Sequence, residues 1–303
     1  MILILVKQIF QMFLLAGIGF LLFRSGKISL EGSRTIGNIL IWVSLPAVII
    51  NGFLIERTPE HVSGMIWSAA GALLILLMSV LVSHLVFRKD AIAAFAGAFS
   101  NPGFFGIPLV VASMGQQAVF YAAAYVAFLN IGQWTYGVSR LTGQPIHQGF
   151  EPRKLIQAPF VIAILTGLIL FAFQVRMPEL AKNILNTVAG LNTPLAMFTV
   201  GIYLAQTDLM KMLRRKSLYW IAAVRLLVIP AISILLLMML PSSMREMKTV
   251  LLIAAACPVG SNVAVYAQLH GKDYPYAVET VVISTVFSIL TLPFIIWLSG
   301  LIL

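Results

Sequence analysis

Long apolar runs alternate with short polar ones from one end of the chain to the other. A run of about 18 to 25 apolar residues can cross a hydrocarbon core of about 30 Å as a helix. We predict ten such spans, over residues 2–23, 35–55, 64–87, 91–113, 117–138, 156–174, 183–205, 217–240, 247–269 and 278–302. The predicted fold is an all-α polytopic membrane protein embedded in the lipid bilayer.

Composition supports this class and excludes several functions. Of 303 residues, 60% are hydrophobic and 10% are charged, whereas soluble proteins carry about 25% charged residues. The single cysteine, Cys257, excludes an intramolecular disulfide and a cysteine-based metal cluster. The four histidines do not form an HExxH motif, and neither GxSxG nor a P-loop occurs. We therefore expect no enzyme activity, no metal and no cofactor.

The net charge of +10 is distributed at the ends of the predicted spans rather than in one block. This distribution is typical of topology signals, and it does not indicate a nucleic-acid partner. With the N-terminus outside, the inner loops hold 13 Lys and Arg residues and the outer loops hold 6. The positive-inside rule then predicts that both termini lie outside.

The two halves of the chain carry related proline patterns. Five predicted spans lie on each side of the polar segment LTGQPIHQGFEPRK, and an odd number of spans makes the halves inverted relative to each other. Pro46 and Pro194 are 148 residues apart, and Pro102 and Pro258 are 156 residues apart. We predict a first five-helix repeat over residues 1–138, a cytoplasmic linker over 139–155 and a second, inverted repeat over 156–303.

Two of the predicted spans combine proline and glycine within a few residues beside an asparagine. The fourth carries SNPGFFGIPL and the ninth carries ACPVGSNVAV, and we expect both helices to unwind there. Unwound backbone survives at membrane depth only inside protein or beside water, so the two spans should cross near the midplane. The residues expected to form the helix breaks are Pro102, Gly106, Pro108, Pro258 and Gly260.

The crossing of two broken helices predicts a site for an anion. Free N–H groups and positive dipole ends would point into a shared cavity, and polar side chains would add donors. The expected substrate-binding residues are Asn101, Gly103, Ser261, Asn262 and Gln133, with Gln268 nearby. Gln133 suits helix packing equally well, and a proline kink alone needs no ligand.

Ionisable groups inside the spans are scarce. All ten acidic residues lie in loops or close to span ends, so a buried carboxylate pair for proton coupling is absent. Glu279, near the start of the last predicted span, is the acidic residue that comes nearest to an exception. It is either a first-turn acid that the helix dipole stabilises or a proton-coupling group. Arg225 is the one cation well inside a predicted span. Its role is either to anchor the structure or to contact the substrate, and the sequence leaves both interpretations open.

At these motifs the chain resembles the auxin efflux carrier family. The resemblance rests on SNPGFFGIPLV, PLAMFTVGIYLA and CPVGSNVAVYAQLHG, and it extends over essentially the whole chain. It implies ten helices in a crossed inverted repeat, related in fold to bile acid/sodium symporters. It also implies a homodimer with a scaffold, made of the first two helices of each half, and a mobile transport part that moves like an elevator.

The short central loop is similar to that of bacterial members, which implies a bacterial inner (plasma) membrane. Pro102 follows Asn101 where the family usually has threonine, which weighs against auxin itself. We expect a secondary transporter for a small organic anion, either a mono- or a dicarboxylate and auxin-like acids included, acting in efflux or exchange. The alternatives are a sodium-coupled symporter of the bile-acid type and a membrane sensor that binds the ligand without moving it.

Overall fold

Helices make up nearly all of the structure, a computed structural model that describes residues 2–146 and 156–302. Within these two ranges the only β-type pairing is an isolated bridge between Ser100 and Val259. Most of the predicted linker over 139–155 lies outside the described residues, and its first residues, up to Thr142, continue a helix. The all-α prediction is confirmed for the part of the chain that is described.

The helices follow one another in a simple order. They are α1 Ile2–Arg24, α2 Leu30–Gly52, α3 Pro59–Val86, α4 Ala91–Ala98, α5 Pro102–Met114, α6 119–142, α7 Pro159–Phe173, α8 Glu179–Gly190, α9 Asn192–Gln206, α10 Leu209–Arg214, α11 Lys216–Met238, α12 Arg245–Ala256, α13 Asn262–Leu269 and α14 Tyr274–Ile302.

Six helical segments are long and apolar enough to cross a membrane. They are α1, α2, α3, α8 together with α9, α11 and α14. The breaks account for part of the difference from the ten predicted spans, because α4 and α13 have 8 residues each and α12 has 12. The α5 and α7 helices are apolar but shorter than a full span. The count of ten remains a prediction.

Wide π-helical turns precede three of the mid-helix prolines. The turns Leu40–Ser44, Pro102–Gly106 and Val224–Val228 each end two residues before a proline, at positions 46, 108 and 230. Proline lacks the N–H and its ring clashes with the preceding turn, so one extra residue is accommodated there. A fourth π turn, Gln133–Gly137, has no proline after it.

The outer faces of several helices are apolar. In α1 the side chains of Leu3, Phe10 and Leu21 are exposed, and in α7 those of Ile169 and Phe173 are. Large apolar surfaces of this kind are stable in lipid rather than in water. The protein is therefore a multi-pass membrane protein.

The helices form two groups. The first helix group comprises α1, α2, α7, α8 and α9, in which α1 packs along α9 and α2 packs on α7 and α8. The second helix group comprises α3 to α6 and α11 to α14, in which α3 packs on α4 and α6 and α14 packs on α11 and α13. The predicted helix breaks in α4/α5 and α12/α13 both belong to the second helix group, and the start of α5 packs on α9 of the first group.

Candidate functional site

The two helix breaks lie side by side, as the prolines and glycines predicted. The N–H of Asn101 donates to the carbonyl of Pro258 (2.9 Å), and the N–H of Gly260 donates to the carbonyl of Phe99 (2.9 Å). We call residues 99–101 and 257–261 the crossover. Backbone groups freed by one broken helix are thus satisfied by the other, which removes most of the cost of unwinding in a membrane.

Glycine is required where the two backbone segments of the crossover approach each other most closely. A Cβ atom on Gly260 would lie 2.7 Å from the carbonyl oxygen of Ser100. A Cβ atom on Gly106 would lie 2.9 Å from the sulfur of Cys257. Gly106 and Gly260, which were expected to break the helices, therefore have a second role, because they also allow close packing at the crossover.

The three prolines of the broken helices occupy different positions. Pro102 is the first residue of α5, where its missing N–H has no intrahelical acceptor to lose, and Pro108 follows the π turn. Pro258 lies within the crossover, and its carbonyl accepts the hydrogen bond from Asn101. Of the five residues predicted to break the helices, three lie at the two breaks, namely Pro102, Pro258 and Gly260, whereas Gly106 and Pro108 lie inside α5, at the end of its π turn and just after it.

A cavity of about 90 Å³ lies beside the crossover, and we call it the central cavity. Its walls come from α2, α5, α6, α7 and α13. It is lined by Ile41, Leu45, Ser100, Asn101, Pro102, Gly103, Phe104, Val126, Leu129, Asn130, Gln133, Phe160, Gly260, Ser261 and Asn262. All five residues predicted to bind substrate are therefore brought together, although their binding role itself remains a prediction.

Two amide side chains reach across the central cavity. The Nδ2 of Asn262 donates to Oε1 of Gln133 (2.7 Å), which fixes the orientation of the Gln133 amide. The other end of that amide, Nε2, is buried and has no hydrogen-bond partner, and Gln133 is only 1% exposed. A buried donor without a partner is costly, so this amide is ready to receive an acceptor.

Asn101 is more constrained than the sequence suggested. Its Oδ1 accepts a hydrogen bond from the N–H of Phe104 (3.3 Å) and so caps α5, while its Nδ2 donates to Oγ of Ser261 (3.1 Å). Asn101 thus joins the start of α5 to the start of α13. The carbonyl of Gly103 accepts from Nδ2 of Asn192 (3.3 Å).

The electrostatics of the central cavity come from backbone dipoles. The first N–H groups of α5 and α13 have no intrahelical acceptors, and helix N-termini carry a positive partial charge. None of the described residues that line this cavity is acidic or basic. The arrangement can hold an anion.

A second space of about 310 Å³ adjoins the central cavity, and we call it the large cavity. The two share Ile41, Phe104, Ser261 and Asn262, so together they form one path from the crossover. The remaining lining residues are Leu30, Ser33, Arg34, Gly37, Asn38, Thr199, Tyr203, Gln206, Val265, Gln268 and Tyr274. The expected contribution of Gln268 is therefore to this cavity rather than to the central one.

A third space of about 190 Å³ lies on α2, α5, α8 and α9, and we call it the amide cavity. It contains Asn51 and Asn186, whose side chains hydrogen-bond to each other, together with Gln116 and Asn192. Asn192 is 2% exposed, and its Oδ1 is buried without a partner. Sequence reasoning missed Asn192, since a single amide in an apolar helix gives no sign of the direction it faces.

The two ionisable residues left open by the sequence lie outside the central cavity. Glu279 accepts a hydrogen bond from Nη1 of Arg215 (2.8 Å), an ion pair between the starts of α14 and α11. Arg225 is fully buried and donates to backbone carbonyls. No group of three or more His, Cys, Asp or Glu residues that could hold a metal occurs within residues 2–146 and 156–302.

Comparison with known proteins agrees with a role in transport. Residues 146–296 match the sequence family described as "Membrane transport protein". Over 284 residues, the chain is 22% identical to a protein of Rhizobium meliloti (strain 1021) named "Putative malonate transporter". The alignment covers 88% of this chain and 87% of that protein.

Proposed function

We propose that this chain, a member of the membrane transport protein family of the auxin efflux carrier type, is a secondary carrier for a small carboxylate. The protein is a transporter and not an enzyme. One observation carries the substrate class: two helix N-termini and the unpartnered amide of Gln133 converge on a cavity whose described walls hold no acidic side chain. A carboxylate would satisfy all of these donors at once.

The size of the central cavity favours a compact acid. A space of about 90 Å³ suits a short mono- or dicarboxylate better than an acid with an indole ring. The name of the Rhizobium meliloti relative refers to malonate, a three-carbon dicarboxylate. In our proposal one carboxylate meets Gln133, Gly103 and the starts of α5 and α13, while Asn101, Ser261 and Asn262 hold these donors in place.

The route to the site runs through the large cavity. Arg34 lies on its wall, and a cation at an entrance raises the local concentration of anions. Arg34 also belongs to the predicted inner loops, so the described conformation corresponds to one open toward the cytoplasm. The proposed direction is efflux or exchange.

The movement that we propose is elevator-like alternating access. The first helix group would be the scaffold and the second helix group the moving part, with residues 1–138 and 156–303 as two inverted five-helix repeats. The amide cavity supports this proposal, because it lies between the same two groups and contacts the opposite ends of α2 and α9 from those that the large cavity contacts. Movement of the second group would open one cavity and close the other.

The assembly and orientation belong to the same proposal. We propose a homodimer in a bacterial inner membrane, with both termini outside. The exposed apolar faces of α1 and α7 support a membrane location and leave room for contact with a second copy.

The first test is ligand binding by the purified protein in detergent. A ligand that binds only the folded state raises the melting temperature, so malonate and succinate should stabilise the protein more than acetate or a neutral diamide does. Counterflow of labelled malonate in proteoliposomes then tests movement. If carboxylates neither stabilise the protein nor exchange across the bilayer, the proposal is wrong, and stabilisation without exchange indicates a sensor.

A further inference from the structure

Arg225 is a fully buried cation close to the crossover. It lies in the π turn Val224–Val228 of α11, and its exposed fraction is 0%. A charged side chain at membrane depth is expensive, so it persists where it has a partner and a role. Arg225 is not among the residues that line the central cavity.

The partners of Arg225 are backbone carbonyls at the ends of two half-helices. Its Nη1 donates to the carbonyls of Gly97 (3.1 Å) and Ala98 (3.2 Å), and its Nη2 donates to the carbonyl of Ala255. Gly97 and Ala98 end α4, and Ala255 is the penultimate residue of α12. Because the last four carbonyls of a helix have no intrahelical donors, one guanidinium satisfies orphan groups of both helices.

These converging helix ends create a negative pole around the guanidinium of Arg225. Each C-terminus carries about half an elementary charge, so two converging ends amount to about one negative charge. Arg225 matches that charge with a single positive one. In the described residues Arg225 forms no ion pair with a carboxylate, so the backbone dipoles are its counter-charge.

Carbonyl oxygens at converging helix ends are also the ligands that a sodium ion would use. Alkali and alkaline-earth cations are hard and prefer oxygen donors, and unwound carbonyls bind coupling ions in other broken-helix carriers. Here three such carbonyls already receive N–H donors from Arg225. A mobile cation at the same place would lack these ligands and would be repelled by the guanidinium.

We propose that Arg225 is a built-in cation that takes the place of a bound coupling ion, so that the carrier moves its anion independently of sodium. This inference rests on the proposed carriage of a carboxylate. Arg225 is a positioning residue in this scheme, because it holds the ends of α4 and α12 together and does not touch the substrate.

Flux measurements test the inference on the unmodified protein. Labelled malonate exchange in proteoliposomes should have the same rate in sodium and in N-methyl-D-glucamine media. Exchange that falls about tenfold or more without sodium would overturn the inference and leave carboxylate carriage intact. If malonate exchanges in neither medium, both the proposed function and the inference are overturned.

Thermal stability gives a second readout that needs no flux. Sodium should leave the melting temperature equal to that in potassium or choline at the same ionic strength, both with and without malonate. A sodium-specific increase would show a bound ion and overturn the inference, whatever the exchange assay gives.

Two variants separate charge from packing. Arg225→Lys keeps a cation with three donors, whereas Arg225→Met keeps a long side chain without charge. We expect Arg225→Lys to retain measurable exchange and Arg225→Met to lose about tenfold or more relative to it. Equal exchange by the two variants would show that only packing matters and would contradict the proposal. If Arg225→Met does not fold, the sodium comparison on the wild-type protein still decides.

Discussion

The amide of Gln133 is the most informative single side chain in the central cavity. Its oxygen is held by Asn262 and its nitrogen has no partner, although burying an unsatisfied donor costs about 1–3 kcal/mol. A protein tolerates such a cost where a ligand completes the hydrogen bond. Gln133 therefore has a role that helix packing alone does not explain.

Replacing Gln133 by glutamate tests that role with minimal change in shape. Gln133→Glu keeps an acceptor for Asn262 but puts a carboxylate where the substrate carboxylate is expected. We expect affinity for malonate to fall by about 100-fold or more, since a donor to a charged group is worth about 1.5–3 kcal/mol and repulsion is added. Gln117→Glu is the matched control, because Gln117 is exposed and lines none of the three cavities. Malonate titrations of the three proteins give the comparison, and equal affinities would remove Gln133 from the site.

Asn101 allows stability and binding to be separated. Asn101→Asp keeps the acceptor that caps α5, and aspartate is as good an N-cap as asparagine. Asn101→Ala loses both the cap and the bond to Ser261, at a cost of about 1 kcal/mol for the cap.

We expect both Asn101 variants to lose malonate exchange and only Asn101→Ala to show a clearly lower melting temperature. Exchange assays and thermal melts on the same preparations measure the two effects. Normal exchange by Asn101→Ala would contradict the site assignment.

At the scale of elements, the crossover depends on the close approach of two backbone segments. Gly260→Ala would place a methyl group against the carbonyl of Ser100, and a backbone oxygen cannot move aside as a flexible side chain can. We expect a loss of about 1–3 kcal/mol in stability together with reduced exchange. Gly190→Ala is the control, since nothing lies within 4 Å of the added methyl there. If thermal melts of the two variants coincide, the crossover is looser than described.

The contact between α1 and α9 gives a parallel test in the first helix group. A Cβ atom on Gly201 would overlap the backbone of Ala16, whereas one on Gly17 would meet nothing within 4 Å. We expect Gly201→Ala to destabilise the protein and Gly17→Ala to leave its melting temperature unchanged. Both substitutions keep a small apolar residue in an apolar helix, so the difference reports the packing alone.

The elements also show what a sequence can indicate. Proline and glycine act on the local backbone, and for that reason the breaks at Pro102 and Pro258 were predictable. The cost of bare backbone in lipid predicted that the two broken spans cross, but it did not predict the bond between Asn101 and Pro258. The number of spans remains a prediction, because hydropathy alone does not tell a broken helix of two short pieces from a continuous one.

For the candidate site, the direction in which each side chain points is what the sequence could not predict. Gln133 was a candidate because two amides three residues apart share a helix face, yet its bond to Asn262 depends on a π turn with no proline signal. Asn192 was missed for the same reason. The partners of Arg225 were also unpredictable, because backbone carbonyls have no signature in a sequence.

At the scale of the whole molecule, polar groups are concentrated between two apolar helix groups. The three cavities lie on or beside this boundary, and none of them is lined by the exposed apolar residues of α1 and α7 named above. Movement of one group against the other would keep the lipid-facing surfaces apolar throughout. This arrangement suits a carrier whose site must be reached from both sides.

Arg225 also has an electrical consequence for such a cycle. It lies in the second helix group, so its positive charge would travel through the membrane field together with the bound anion. A monocarboxylate would then cross as a neutral pair, and the potential would act on the empty carrier as it returns. That return would carry one positive charge, worth about 2.3 kcal/mol for a full crossing at 100 mV. A negative interior would pull the empty carrier back toward the cytoplasm and favour repeated export.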